Sequence, residues 1–245
     1  MKKKFIQYSI ISIILTISAC NNSIDSSKSP TTDSIGNNQS GMYTSDTINS
    51  YSNSKEMHLD PFNEIEINCN ANITYKTNEA PSIKITSDEE TLKHLIVNVI
   101  DNKLCIKMDN NNRSYDNISI NINGTSKLEE IDIAGACVFS AIREYGGFSP
   151  HSLDIDCSGA STLLLNDINC SKLDIDCTGA SNILINNINC KEIDVVGCGG
   201  SKIILAGKAT SAKYEASGSS LIEATNFNAT KILKEMATGA SKIKK

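Results

Sequence analysis

From residue 126 onward the chain repeats a short pattern of apolar and polar positions. In Leu153-Asp-Ile-Asp-Cys157 apolar side chains alternate with acids, and Leu173-Asp-Ile-Asp-Cys177 does the same. A period of two sends alternate side chains to opposite faces of a β-strand. A second apolar run follows each of these, as Leu163-Leu-Leu165, Ile183-Leu-Ile185 and Ile203-Ile-Leu205. Between the runs lies a corner of small residues whose Gly falls at 135, 159, 179, 199, 218 and 239. The steps between those glycines, Gly135, Gly159, Gly179, Gly199, Gly218 and Gly239, are 24, 20, 20, 19 and 21 residues. A fixed period near twenty marks a stacked solenoid. Asn166-Asp167, Asn186-Asn187 and Gly207 supply turn chemistry, and Ile168-Asn-Cys170 and Ile188-Asn-Cys190 add a third short element. The Leu and Asn spacing of a leucine-rich repeat is absent. The pattern predicts an all-β solenoid, a β-helix with coils of about 20 residues.

Stacking such coils places equivalent residues above one another, about 4.8 Å apart. The predicted inward columns are Leu153, Leu173 and Ile193; Ile155, Ile175 and Val195; Leu163, Ile183 and Ile203; Leu165, Ile185 and Leu205; and Ile168 with Ile188. Gly permits the left-handed backbone of a tight corner, and small neighbours keep the bend narrow. Hydroxyls of Ser161, Ser181, Ser201, Ser220 and Ser241 are placed to hydrogen-bond along the stack. Residues 59–125 also read as strands but lack the motif, so they are expected to form an irregular β lead-in covering one end. One of these strands is expected over Lys93–Val99. Lys242-Ile-Lys-Lys245 closes the other end with charge, which discourages edge pairing.

The first residues read as an address. Lys2, Lys3 and Lys4 precede a mostly apolar run from Phe5 to Ala19. That run is shorter than the about 20 residues a spanning helix needs, so residues 1–19 read as a signal peptide. It ends Ile17-Ser18-Ala19-Cys20, which resembles a bacterial lipobox. The resemblance implies cleavage before Cys20 and acylation there, with several acyl chains anchoring the protein to the membrane. Residues 20–58 are rich in Ser, Asn, Thr and Asp and bury too little apolar surface to offset their ordering entropy. They read as a tether; a short docking strand within it is the alternative. The domain plan is thus signal 1–19, tether 20–58, lead-in 59–125 and repeat solenoid 126–245.

Composition narrows function. The 245 residues carry a net charge of −5, and removal of three lysines with the signal leaves −8. Phosphate neutralisation needs a basic face, so a nucleic-acid partner is not expected. No Trp is present, which fits a narrow coil. The eight Cys beyond Cys20 show no CxxC and no zinc spacing. They read as small core residues, with structural disulfides or metal and redox chemistry as alternatives. Asp154, Asp174 and Asp194 form one outward column and Asp132, Asp156 and Asp176 another. This is a solvated acidic face, or a weak Ca²⁺ site made of Asp154, Asp156, Asp174, Asp176 and Asp194. His58, His94 and His151 sit in no nucleophile motif, and no G-x-S-x-G, P-loop or H-E-x-x-H occurs. No catalytic residue and no cofactor is expected. The longest repeat carries an insertion from Arg143 to Pro150. Arg143, Tyr145 and Phe148 make it a candidate binding loop, with local packing of Tyr145 and Phe148 equally open.

Lipobox, polar spacer, the strand opening Phe62-Asn-Glu-Ile65 and Ser-Gly-Ala-Ser corners together resemble the DUF2807 family, described as a putative auto-transporter adhesin, head GIN domain. The resemblance spans about residues 60–241. It implies a right-handed β-helix-like fold in an envelope lipoprotein, with no catalytic residues to carry over. The expected protein is a non-enzymatic, lipid-anchored head that binds a glycan or protein ligand at the cell envelope, on the outer membrane. A structural or self-assembling module is the alternative. A polysaccharide-processing β-helix fits less, because such an enzyme needs a basic groove and this repeat face is acidic.

Overall fold

The structure is a computed structural model, and it describes residues 53–109, 117–142 and 146–245. Strands form because apolar residues recur at every second position, and they stack because each coil alone cannot bury its apolar side. Along one flank of the stack run β2 (Glu64–Asn68), β6 (Lys103–Met108), β8 (Glu130–Ala134), β10 (Ser152–Cys157) and β12 (Lys172–Cys177). Along the other run β3 (Ala71–Thr77), β7 (Ile118–Gly124), β9 (Val138–Ala141) and β11 (Thr162–Asn169). β13 (Asn182–Gly197), β14 (Lys202–Ala216) and β15 (Leu221–Ala237) are long enough to serve both flanks in turn, and β16 (Lys242–Lys244) lies on β15. Neighbours in the repeat pair in parallel and in register, as with Leu153, Leu173 and Ile193, or Leu163, Ile183 and Ile203. All the expected inward columns are buried. The result is a β-solenoid of about six turns.

The corners follow the sequence motif. Each corner Gly has positive φ, from 71° at Gly218 and Gly239 to 97° at Gly135. The turn before the next coil uses Asp167 at φ 57°, Asn187 at φ 58° and Gly207 at φ 139°, residue types that tolerate this region. Ser220 Oγ donates to the Gly197 carbonyl at 2.8 Å and Ser241 Oγ to Ala216 at 3.0 Å. Ser161 Oγ reaches the Gly135 carbonyl at 3.3 Å. Ser181 and Ser201 find no carbonyl and face the sulfurs of Cys157 and Cys177 instead.

The lead-in departs from the expectation in three ways. First, it does more than cover an end. β2 pairs in parallel with both β6 and β8, and β3 with both β7 and β9. The coil made of β2 and β3 therefore lies between the β6–β7 coil and the β8–β9 coil, and the chain leaves and re-enters the stack to achieve this. Asp101, Asn102 and Asn117, all with positive φ, take the place of Gly at its turns. Second, the expected strand over Lys93–Val99 is divided. Glu89–His94 forms α1 and Leu95–Ile100 forms β5, which pairs antiparallel with β6. Asp88 starts the helix by accepting from the Thr91 amide at 2.8 Å, with acids in its first turn and Lys93 and His94 in its last. Third, Asn53–His58 forms β1, antiparallel to β4 (Ser82–Ser87). Composition places these six residues in the tether; main-chain pairing holds them in the fold although five of the six are exposed.

Candidate functional site

A strongly acidic surface lies on the flank of β2, β8, β10 and β12. Outward side chains there repeat at the strand spacing. Glu64, Glu130, Asp154, Asp174, Asp194 and Lys213 make one column. Glu66, Asp132, Asp156 and Asp176 make the next. The sheet dictates this: once alternate Leu and Ile point inward, the acids between them must stack outward.

Lysines close the columns. Lys103 reaches Glu130 at 2.8 Å and Glu64 at 3.2 Å. Lys213 reaches Asp194 at 3.1 Å and Glu192 at 3.2 Å. Lys172 pairs with Asp174 in the middle of the face, and Lys234 pairs with Glu215. A shallow concavity of about 270 Å³ remains, lined by Asp154, Lys172, Asp174, Asp176, Asp194 and Glu215. Asp174 Oδ1 is turned away from solvent there without a hydrogen-bond partner.

The crowding shows in the acidities. Burial, then the charges of neighbouring acids, raises Asp132, Asp154, Asp156 and Asp176 above the ordinary carboxylate value. The native state therefore binds more protons than the unfolded chain in the window just above that value. Stability from these groups rises as the pH falls through their raised values and is lost as the pH climbs past them. His94 acts in the same direction, raised by its bond to Asp109 at 2.7 Å. Its contribution is present below the ordinary imidazole value and lost as pH rises through its native one. Thermal melts are expected to show a higher midpoint at pH 5 than at pH 7. Asp156→Asn is expected to add roughly a few tenths of a kcal/mol at pH 7 and to flatten that dependence. A lower midpoint at pH 5 would show that the ladder is not under strain.

The Ca²⁺ reading of Asp154, Asp156, Asp174, Asp176 and Asp194 is not supported. Among the described residues no group of three or more His, Cys, Asp or Glu side chains gathers in a way that could hold a metal ion. Side chains in parallel columns on a flat sheet stand side by side, whereas Ca²⁺ needs oxygens converging from several directions.

The loop candidates separate. Arg143 and Tyr145 lie outside the described residues, as does Cys20. Phe148 is 1% exposed and packs inward, its ring stacked on Tyr75 with centroids 5.8 Å apart. Of the two readings left open for Phe148, packing is the one the structure has. Lys103 is the residue that sequence reasoning missed on the acidic face. It is 27 residues from Glu130 in sequence and meets it only because β2 lies between β6 and β8.

Comparison with known proteins agrees with this architecture. Residues 61–244 match the family profile described as DUF2807, putative auto-transporter adhesin, head GIN domain. A search of curated proteins returns no match. Among solved structures, a putative adhesin from Parabacteroides merdae superposes with a TM-score of 0.70 at 21% identity, covering 80% of this chain and 82% of that one. A putative lipid binding protein from Parabacteroides distasonis gives 0.66 at 20% identity, over 80% and 82%. A putative adhesin from Bacteroides fragilis gives 0.61 at 18%, over 79% and 96%. At these identities the likeness establishes the fold.

Proposed function

Since the chain belongs to the DUF2807 family, we propose that it is a non-enzymatic, lipid-anchored envelope protein whose solenoid is an adhesive head. Acyl chains on Cys20 hold it to the membrane, residues 21–52 carry the head outward, and the acidic flank makes the contact. The observation that carries this reading is the in-register carboxylate face. A flat array repeating at the strand spacing, closed by Lys103 and Lys213, suits an extended partner bearing cationic groups, whether glycan or protein. The names of the similar structures, adhesins and a lipid binding protein, are consistent with a ligand-binding role.

The test is a glycan and host-matrix protein array probed with the full chain, followed by the triple substitution Asp154→Asn, Asp174→Asn and Asp176→Asn. Binding that falls at least about tenfold with the fold retained supports the acidic flank, a loss of about 1.4 kcal/mol. A uniformly blank array, or binding indifferent to the substitutions, overturns it. Labelled palmitate should be incorporated by the wild type and lost in Cys20→Ser.

One observation favours self-assembly as a second reading. Beyond Glu223, β15 pairs only with β14 among the described residues, and Ile232, Leu233 and Met236 are exposed along it. Opposing this are the register shift beside Lys213 and the nearby lysines 231, 234, 242, 244 and 245, devices that blunt an edge. Sedimentation of the full chain decides: a monomer at high concentration removes this reading.

A further inference from the structure

The eight cysteines among the described residues are all free thiols. Two pairs lie on adjacent coils, and they differ. Cys157 and Cys177 are in register within β10 and β12, and both are sealed in the core at 1% and 0% exposure. Cys170 and Cys190 sit at a corner near the surface. Cys170 follows the end of β11, one residue beyond the Asn169–Asn189 pair, and its amide donates to the Asn189 carbonyl at 3.2 Å. Cys170 is half-buried and Cys190 is 8% exposed.

We propose that Cys170 and Cys190 are a disulfide-forming site, oxidised by exchange with an external disulfide to staple two neighbouring coils. Neighbouring strands lie about 4.8 Å apart, inside the roughly 4.4–6.8 Å between Cα atoms that a disulfide spans. The parallel ladder constrains the side-chain directions of Cys157 and Cys177, whereas Cys170 lies past the end of its strand. Access separates the pairs as well, because an external disulfide must reach the first sulfur.

The roles follow from access. Cys170 is half-buried and Cys190 is buried, so an external disulfide reaches Cys170 first. Cys170 is thus the attacking thiolate. It bonds to one sulfur of the external disulfide, whose S–S bond breaks and releases one thiolate. Cys190 gives its proton to that thiolate and attacks the Cys170 sulfur. The mixed disulfide breaks, and the second external thiolate leaves and takes up the proton that Cys170 lost. Two cysteines are oxidised by two electrons, and the external disulfide is reduced to two thiols.

The test incubates the full chain with oxidised glutathione, quenches in denaturant with N-ethylmaleimide and maps the cysteines by mass spectrometry. Cys170 and Cys190 should be joined, while Cys157 and Cys177 carry the alkylating label. In Cys190→Ser, one glutathione should remain trapped on Cys170; in Cys170→Ser, Cys190 should acquire neither link nor adduct. The oxidised wild type should melt at a higher temperature, and reductant should reverse the shift. Wild type with both Cys170 and Cys190 alkylated, a link through another cysteine, or Cys190→Ser without the adduct overturns the proposal. The wild-type arm needs no substitution, so a variant that fails to fold leaves the proposal exposed to refutation.

Discussion

Phe148→Ala is expected to lower the unfolding free energy by about 3–5 kcal/mol, the range for deleting a buried aromatic ring. Phe148 is 1% exposed and forms an isolated bridge to Ile168 at the edge of the repeat. Its ring stacks on Tyr75 at 24° between planes. Tyr75 in turn stacks on Phe139 at 6.1 Å and meets Phe62 edge-on at 6.5 Å. The Tyr75 hydroxyl is anchored by donating to the Thr125 carbonyl at 2.8 Å. Removing Phe148 opens a void beside a ring that cannot move without breaking that bond. Phe148→Leu refills most of the volume and should cost about 1–2 kcal/mol less, retaining transfer energy and losing the stack. Urea denaturation checks both; a loss under about 1 kcal/mol for alanine would mean the void collapses freely.

This aromatic cluster marks where the sequence stops being readable. The columns through Leu153, Leu173 and Ile193 were legible because a solenoid writes the same side chain into each coil, and register follows from the corner Gly. Phe148 stacks on Ile168 in the column that continues to Ile188, but no Ile-Asn-Cys element marks it in the sequence. It stands between Gly147 and Ser149-Pro150, a turn signal by local chemistry, and only the tertiary stack recruits it to the core. The lead-in hid its register for a related reason: Asp101, Asn102 and Asn117 make its turns without Gly, so no corner motif advertises the coils. A strand in the tether stretch was legible only as the alternative reading, because hydrogen bonds to β4 hold β1 and backbone pairing leaves little trace in side-chain pattern. The aspartates of the acidic columns were legible, since an outward ladder is the complement of an inward one, but their continuation through Glu130, Glu64 and Glu66 depends on the register of β2 and β8. Of the closing lysines, Lys213 continues the first column by its place in the repeat and reaches Asp194, whereas Lys103 was not legible because it acts across the lead-in.

Gly179→Ala is expected to cost about 3 kcal/mol or more, and Gly200→Ala almost nothing, although both sit at solenoid corners. Gly179 has φ 73°, where a Cβ alone costs roughly 1–2 kcal/mol. A methyl there would also lie 2.5 Å from the Gly159 carbonyl oxygen and 3.2 Å from its amide nitrogen. That backbone cannot swing aside as a side chain would, because the Ala180 amide donates to the Gly159 carbonyl at 2.8 Å. Relief would require lifting one coil from the next, and the same bond recurs from Ala160 to Gly135 and from Gly200 to Gly179. Gly200 lacks positive φ, and a methyl there would meet nothing nearer than 3.7 Å. Alanine at Gly200 should be neutral or stabilise by up to about 1 kcal/mol by restricting the unfolded chain. Equal effects at the two positions would show that composition alone makes the corner; unequal effects would show that contact between coils does. The adhesive reading depends on that contact, because the spacing that brings Gly159 and Gly179 together also sets the spacing of Asp156 and Asp176.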